Sequence, residues 1–154
     1  ELKRREEAGR LESLRKQIML ERRLRAQLRF LTRRIFNDVE LSDGKMGASF
    51  LFHAAEHEKN QQILEEFKSS LVEELHSDLF KENLLEVCLT EQPLILALSP
   101  VCSELSDRHV KAWMSIAHYL QQINAGNNIT QNTDRLIAWI AFFDKQTVSQ
   151  GLLV

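Results

Sequence analysis

Residues 2–36 carry a helix pattern that runs for about ten turns without a proline. Good helix formers (Leu, Arg, Glu, Gln and Ala) dominate this stretch, and Gly9 is its one glycine. At 100° per residue, six apolar side chains fall on one face: Leu14, Leu20, Leu24, Leu28, Leu31 and Ile35. A chain that opens on such a helix must cover this face with protein, so the six residues are predicted to bind a partner or the chain's own bundle.

The other side of the predicted helix is basic. Six arginines widen that side: Arg15, Arg22, Arg23, Arg29, Arg33 and Arg34. Residues 1–40 hold 12 Lys/Arg against 7 Asp/Glu, a net charge of +5, whereas residues 41–154 hold 8 against 15, a net charge of −7. The asymmetry indicates that the first helix has a role or a partner of its own.

Strict heptads would make this helix one strand of a coiled coil. Glu21 and Arg25 interrupt the apolar a/d seam, and polar groups at such positions weaken a long regular coiled coil. We therefore favour docking on a local partner over a long regular coiled coil. A short, irregular coiled coil is one form that such docking takes.

The remainder of the chain is predicted to be an all-α bundle of about five to six helices. Five Gly and two Pro in 154 residues are few, which disfavours strands and tight turns. Ser42-Asp43-Gly44 is the clearest break, so we divide the chain into a basic amphipathic arm or docking helix, residues 1–41, and an acidic helical bundle, residues 42–154. Because the chain begins with Glu1 rather than Met, we expect a fragment or a processed product.

The hydrophobic periodicity predicts the helices of the bundle. Gly126 should end the fifth of them, and the last one is apolar almost all round, which places it at the centre of a core or against a partner. The predicted ranges are 46–57, 61–75, 78–89, a short buried helix within 92–100, 103–125, and a helix capped by Asn132 or Thr133 that ends near residue 149.

The segment HAAEH, residues 53–57, resembles the H-x-x-E-H motif of pitrilysin-type zinc peptidases. The resemblance implies that His53 and His57 bind zinc and that Glu56 activates a bound water. It also implies mixed α/β lobes, and the chain shows no strand pattern. Because the apolar arc that starts at Phe50 leaves these polar groups outside it, we interpret the segment as a solvated helix face.

The remaining composition narrows the function classes. Cys88 and Cys102 have no metal-ligand spacing and lie among Leu and Val, which is typical of buried free thiols in an intracellular protein, cytoplasmic or nuclear. No apolar run approaches the roughly 20 residues that cross a bilayer. No phosphate loop or nucleophile motif occurs, so neither a cofactor nor an enzymatic activity is predicted.

The sequence therefore predicts a non-enzymatic helical protein–protein interaction or scaffold module. Its first helix would dock on another protein, on a second copy, or on its own bundle. One alternative is a nucleic-acid-binding protein that uses the arginine face, and a second alternative is zinc binding by HAAEH.

Overall fold

The computed structural model describes residues 1–36, 57–74 and 77–149, and each element in these ranges is a helix. The prediction of an all-α chain, with a long N-terminal helix followed by a bundle, is confirmed. The elements are α1 (Leu2–Ile35), α2 (His57–Glu74), α3 (Asp78–Ala97), a 3₁₀ helix (Ser99–Glu104), α4 (Asp107–Asn124) and α5 (Ile129–Ser149).

Helix α1 has two halves in different surroundings. Its 34 residues rise about 51 Å, more than the bundle can cover. Residues 1–16 are all exposed, whereas the second half contributes Leu24, Leu28, Leu31 and Ile35 to the main hydrophobic core. Burying four such side chains stabilises the packed half by roughly 1.5–3 kcal/mol each.

The end of α1 is fixed by a ring stack and a side-chain cap. Phe36 lies parallel to Phe67 of α2, with ring centroids 4.1 Å apart. The amide of Asn83, on α3, donates to the carbonyls of Arg34 and Ile35 at 3.0 and 3.2 Å. These carbonyls have no helical donor at a C-terminus, so Asn83 supplies one. The predicted boundary between residues 41 and 42 lies outside the described residues.

Helix α5 is the central element of the bundle, as its apolar surface predicted. It packs against α4, α2 and α1. Leu136, Ile137, Ile140 and Phe143 are buried, and Trp139 is half-buried against the core. A helix with three helical neighbours needs apolar residues on most of its circumference, which explains the pattern.

Helix α3 continues past the predicted end at residue 89 and through Pro93, so the predicted break was wrong. Proline removes one backbone donor and ordinarily ends or kinks a helix. Here the tertiary packing of the last turns outweighs that local cost. Ile95 is fully buried, and its carbonyl accepts the indole N–H of Trp113 at 3.4 Å.

The predicted first residues of α4 and α5 were both wrong. Helix α4 begins at Asp107 rather than 103, because the Ser106 hydroxyl caps the N–H of His109 at 3.2 Å. Helix α5 begins at Ile129, before the predicted cap at Asn132 or Thr133.

Gly126 ends the α4 helix as predicted, with φ of +79°. Its N–H donates to the Ile123 carbonyl at 3.0 Å, and the N–H of Asn127 donates to the Gln122 carbonyl at 3.1 Å. These two bonds form a Schellman motif, in which the residue after the cap is left-handed and glycine adopts that conformation without steric cost.

Candidate interaction surface on the first helix

The buried face of α1 is a heptad seam, with members spaced alternately three and four residues apart. Each member in the second half of α1 is at most 8% exposed. The buried members are Ile18, Glu21, Arg25, Leu28, Thr32 and Ile35. The two residues that interrupt the apolar pattern are therefore inside the core, and each has a partner there.

Arg25 is one of the two charged members of the seam. Its Nε donates to Oδ1 of Asp144, on α5, in a buried ion pair. The amide of Gln61, on α2, donates to the other carboxylate oxygen at 3.2 Å and to the carbonyl of Ala141 at 3.1 Å. Three helices meet at this carboxylate, which offsets part of the desolvation cost of burying the charges.

Glu21 is the other charged member of the seam, and it joins α1 to the start of α4. Its Oε2 accepts the backbone N–H of Ser106 at 2.9 Å and lies 2.9 Å from Nδ1 of His109. Both carboxylate and imidazole are at most 1% exposed. The sequence indicated neither contact, because Glu21 was interpreted as a break in the seam.

His109 is a buried core histidine, and its ring is held by side chains. The hydroxyl of Thr147 donates to the carbonyl of Phe143 at 2.9 Å, so it accepts from Nε2 of His109 at 2.8 Å. On the other side Nδ1 meets Ser106 Oγ at 2.6 Å as well as Glu21. Both ring nitrogens are thus hydrogen-bonded in the core.

The same seam continues into the exposed first half of α1, where the bundle no longer covers it. Leu11 and Leu14 are the next two a/d members, and they are 48% and 41% exposed. Arg10 and Arg15 occupy the g and e positions beside these two leucines. Lys3 occupies the g position one heptad earlier, and Arg4 and Glu7 occupy the a and d positions before Leu11. We call residues 2–16 the overhang: an exposed helix with a leucine stripe and basic flanks.

The structure places the six predicted partner-binding residues in three environments. Leu24, Leu28, Leu31 and Ile35 are buried in the chain's own core, and Leu20 packs partly buried against it. Leu14 alone among the six is exposed to solvent. The packing of α1 in cis therefore accounts for most of this stripe, and a role in binding another molecule stays a prediction.

The six predicted nucleic-acid-binding arginines lie on the outer side of α1. Arg15, Arg23, Arg33 and Arg34 are exposed, and Arg22 and Arg29 are half-buried. Arg34 pairs with Glu91 of α3, which also accepts from the amide of Gln27 at 3.4 Å. Part of the basic face is thus held against α3.

The outer face of α3 is a second exposed apolar surface, which the sequence reading missed because the helix was ended at residue 89. Leu89 and Leu96 are 67% and 51% exposed, and Leu85 is half-buried between this face and the core. Glu82 and Glu86 are exposed on the same side. We call this surface, Glu82 to Leu96, the α3 outer face.

A groove of about 300 Å³ separates the α3 outer face from α1. Phe30 and Arg33 line it from α1, and Glu86 and Val87 line it from α3. The exposed ring of Phe30 extends the apolar surface of α3 towards the first helix.

The predicted zinc motif cannot be placed. His53 and Glu56 lie outside the described residues, and His57 begins α2. Within residues 1–36, 57–74 and 77–149, no group of three His, Cys, Asp or Glu side chains is arranged to hold a metal ion. Zinc binding by HAAEH stays a prediction.

Both cysteines are buried free thiols. Burial raises the pKa of Cys88 to about 12 and that of Cys102 to about 11. Burial therefore disfavours the thiolate, which is the form of cysteine that acts as a nucleophile or binds a metal.

Among the described helices, none has the length and apolar character needed to cross a membrane. No protein-family model, curated protein or solved structure matches the chain.

Proposed function

We propose that the chain is a non-enzymatic helical protein–protein interaction module whose docking element is the overhang. One observation carries the proposal: the a/d seam of α1 is buried from Ile18 onwards, and its next members, Leu11 and Leu14, are exposed. A seam that already packs on helices in one half has the geometry to pack on a further helix in the other half.

The bundle holds the overhang in a fixed direction. Glu21 and Arg25 bind groups on α4 and α5, and α1 is one uninterrupted helix from Leu2 to Ile35. An isolated helix of about 15 residues is marginal in water, so continuity with the packed half supplies the order of the overhang. A pre-ordered element binds with a smaller entropy cost than a disordered one.

The chemistry of the overhang favours an acidic helix as its partner. The leucine stripe needs an apolar face, and the flanking Lys3, Arg10 and Arg15 favour carboxylates at the facing positions. Surface ion pairs within the overhang, such as Arg10 with Glu7 at 3.8 Å, are exposed and compete weakly with such contacts. Two free thiols support a reducing, intracellular setting.

A synthetic peptide tests the proposal. The probe has Leu at the a and d positions and Glu at the e and g positions of three heptads, with a fluorescent label. We expect the intact chain to raise its anisotropy, and the variant Leu11→Asp/Leu14→Asp to bind it at least about tenfold more weakly.

Met19→Asp is the matched control, because Met19 is also exposed on α1 but lies about 100° from the seam. It should bind the peptide like the intact chain. No binding by the intact chain at a concentration where it is monomeric, or equal loss in both variants, contradicts the proposal.

Nucleic-acid binding is a second candidate, supported by the exposure of Arg15, Arg23 and Arg33 on the outer side of α1. It predicts a mobility shift of a random-sequence duplex or single strand that weakens steeply with salt. Arg15→Glu/Arg23→Glu should abolish the shift, whereas Lys145→Glu, an exposed change on α5, should not. A duplex and a single strand that both run unshifted at low salt contradict this candidate.

A further inference from the structure

We propose that the overhang of one copy docks on the α3 outer face of a second copy. The inference rests on the proposed function and names the partner: the chain itself carries the acidic, apolar helix face that the overhang needs. It would account for two exposed surfaces of the chain by one contact.

The apolar parts of the two surfaces match. The overhang offers Leu11 and Leu14, and the α3 outer face offers Leu89 and Leu96, all more than 40% exposed. Leucines at this exposure on two helices leave apolar area in contact with water, and pairing them removes it. The exposed ring of Phe30, which lines the groove beside this face, adds to the apolar area.

The charges of the two surfaces are opposite. Residues 2–16 hold six Lys/Arg and three Asp/Glu, a net charge of +3. The exposed charged residues of α3 are Asp78, Glu82 and Glu86 against Lys81, a net charge of −2. Complementary flanks fix the orientation of two helices and speed their encounter more than they add to affinity.

The two surfaces also have the same length. Residues 2–16 and residues 82–96 each span 15 positions, which rise about 22 Å in a helix. The overhang is therefore long enough to lie beside both Leu89 and Leu96.

The contact must form between copies rather than within one. All of residues 1–16 are exposed in the folded chain, so the overhang does not reach the α3 face of its own bundle. Pairing of two overhangs is disfavoured, because Lys3, Arg10 and Arg15 would face one another as like charges. Reciprocal docking, with each overhang on the other copy's α3, gives a closed two-fold dimer with two equal contacts.

Charge exchange between two variants tests the proposal. Variant one carries Arg10→Glu/Arg15→Glu, and variant two carries Glu82→Lys/Glu86→Lys. Sedimentation equilibrium of the intact 154-residue chain should give twice the 17.9 kDa chain mass. Each variant alone should fall towards 17.9 kDa, since its surfaces repel, and an equimolar mixture should recover the doubled mass because every contact is again complementary.

Matched apolar variants complete the experiment. Leu89→Asp should weaken the dimer at least about tenfold, whereas Met114→Asp, a change at another exposed apolar residue, on α4, should not. The substituted residues are exposed, so far-UV circular dichroism should be unchanged in all of them.

Three outcomes would overturn the proposal: an intact chain that stays monomeric at all accessible concentrations, variants that remain dimeric alone, or a mixture that does not recover. A monomeric chain that still binds the acidic peptide leaves the proposed function standing and removes the second copy as its partner. An intact chain that neither binds the acidic peptide nor forms a dimer contradicts both proposals.

Discussion

Arg25 and Asp144 form an ion pair inside the core although 119 positions separate them in the chain. The pair joins the middle of α1 to the central helix α5. It lies in the same seam that continues into the overhang.

Removing one partner of this pair should destabilise the fold strongly. Arg25→Ala leaves the Asp144 carboxylate buried without its guanidinium, and the loss of unfolding free energy should be about 3–5 kcal/mol. Urea denaturation followed at 222 nm measures it. Arg23→Ala removes an exposed arginine two positions away and should stay within about 0.5 kcal/mol of the parent. Equal effects of the two changes would show that the buried pair contributes nothing specific.

Replacement of Glu21 should loosen the start of α4. Glu21→Ala removes the acceptor of the Ser106 N–H, and a buried donor left unsatisfied costs about 1–3 kcal/mol. The Ser106 amide should then exchange with deuterium faster than in the parent. Glu12→Ala is the control, because Glu12 is exposed and pairs with the exposed Lys16 at 3.8 Å. An unchanged Ser106 exchange rate would contradict the assigned bond.

The two glycines with open surroundings should respond to alanine in opposite ways. Neither Gly9 nor Gly126 has an atom within 4 Å of an added Cβ, so backbone conformation alone decides. Gly126→Ala forces alanine to φ of +79° and should cost about 1–2 kcal/mol.

Gly9→Ala should raise helicity at 222 nm without moving the urea midpoint, because the overhang does not take part in the core. A shifted midpoint would show that the overhang and the bundle unfold together.

Cys88 and Cys102 should be unreactive in the folded chain. At pH 8 an aromatic disulfide reagent should titrate both thiols rapidly in urea and neither in buffer, because burial suppresses the thiolate. The ordinary thiol pKa is 9.0, and the folded values are raised to about 12 and about 11.

The unfolded chain therefore loses these protons first. The stability contributed by the buried thiols is complete below pH 9 and is lost as the pH rises towards 11 and 12. A Cys88→Ala/Cys102→Ala variant should show a flatter fall in stability over that range, and an identical fall would contradict the assignment.

The first helix and its apolar face follow from the sequence, because a leucine period over 35 residues has few other solutions. The roles of Glu21 and Arg25 do not. Within α1 they weaken an apolar seam, and only the folded chain brings His109 and Asp144 to them. A single sequence carries no signal that a charge 119 positions away will be buried beside an arginine.

The α3 outer face was missed for a related reason. Pro93 ordinarily breaks a helix, so the sequence pattern predicted that α3 ends before it. The packing of Ile95 and the bond from Trp113 are tertiary and carry the helix past the proline to Ala97. With that extension, Leu89 and Leu96 fall on one outward face, which a helix ending at residue 89 did not reveal.

An unbroken α1 has a mechanical consequence. Because α1 runs for some 51 Å without a break, a force applied near Arg10 acts as a lever on the buried contacts of Glu21 and Arg25. The direction in which the overhang points is therefore set by these buried contacts rather than by a flexible joint.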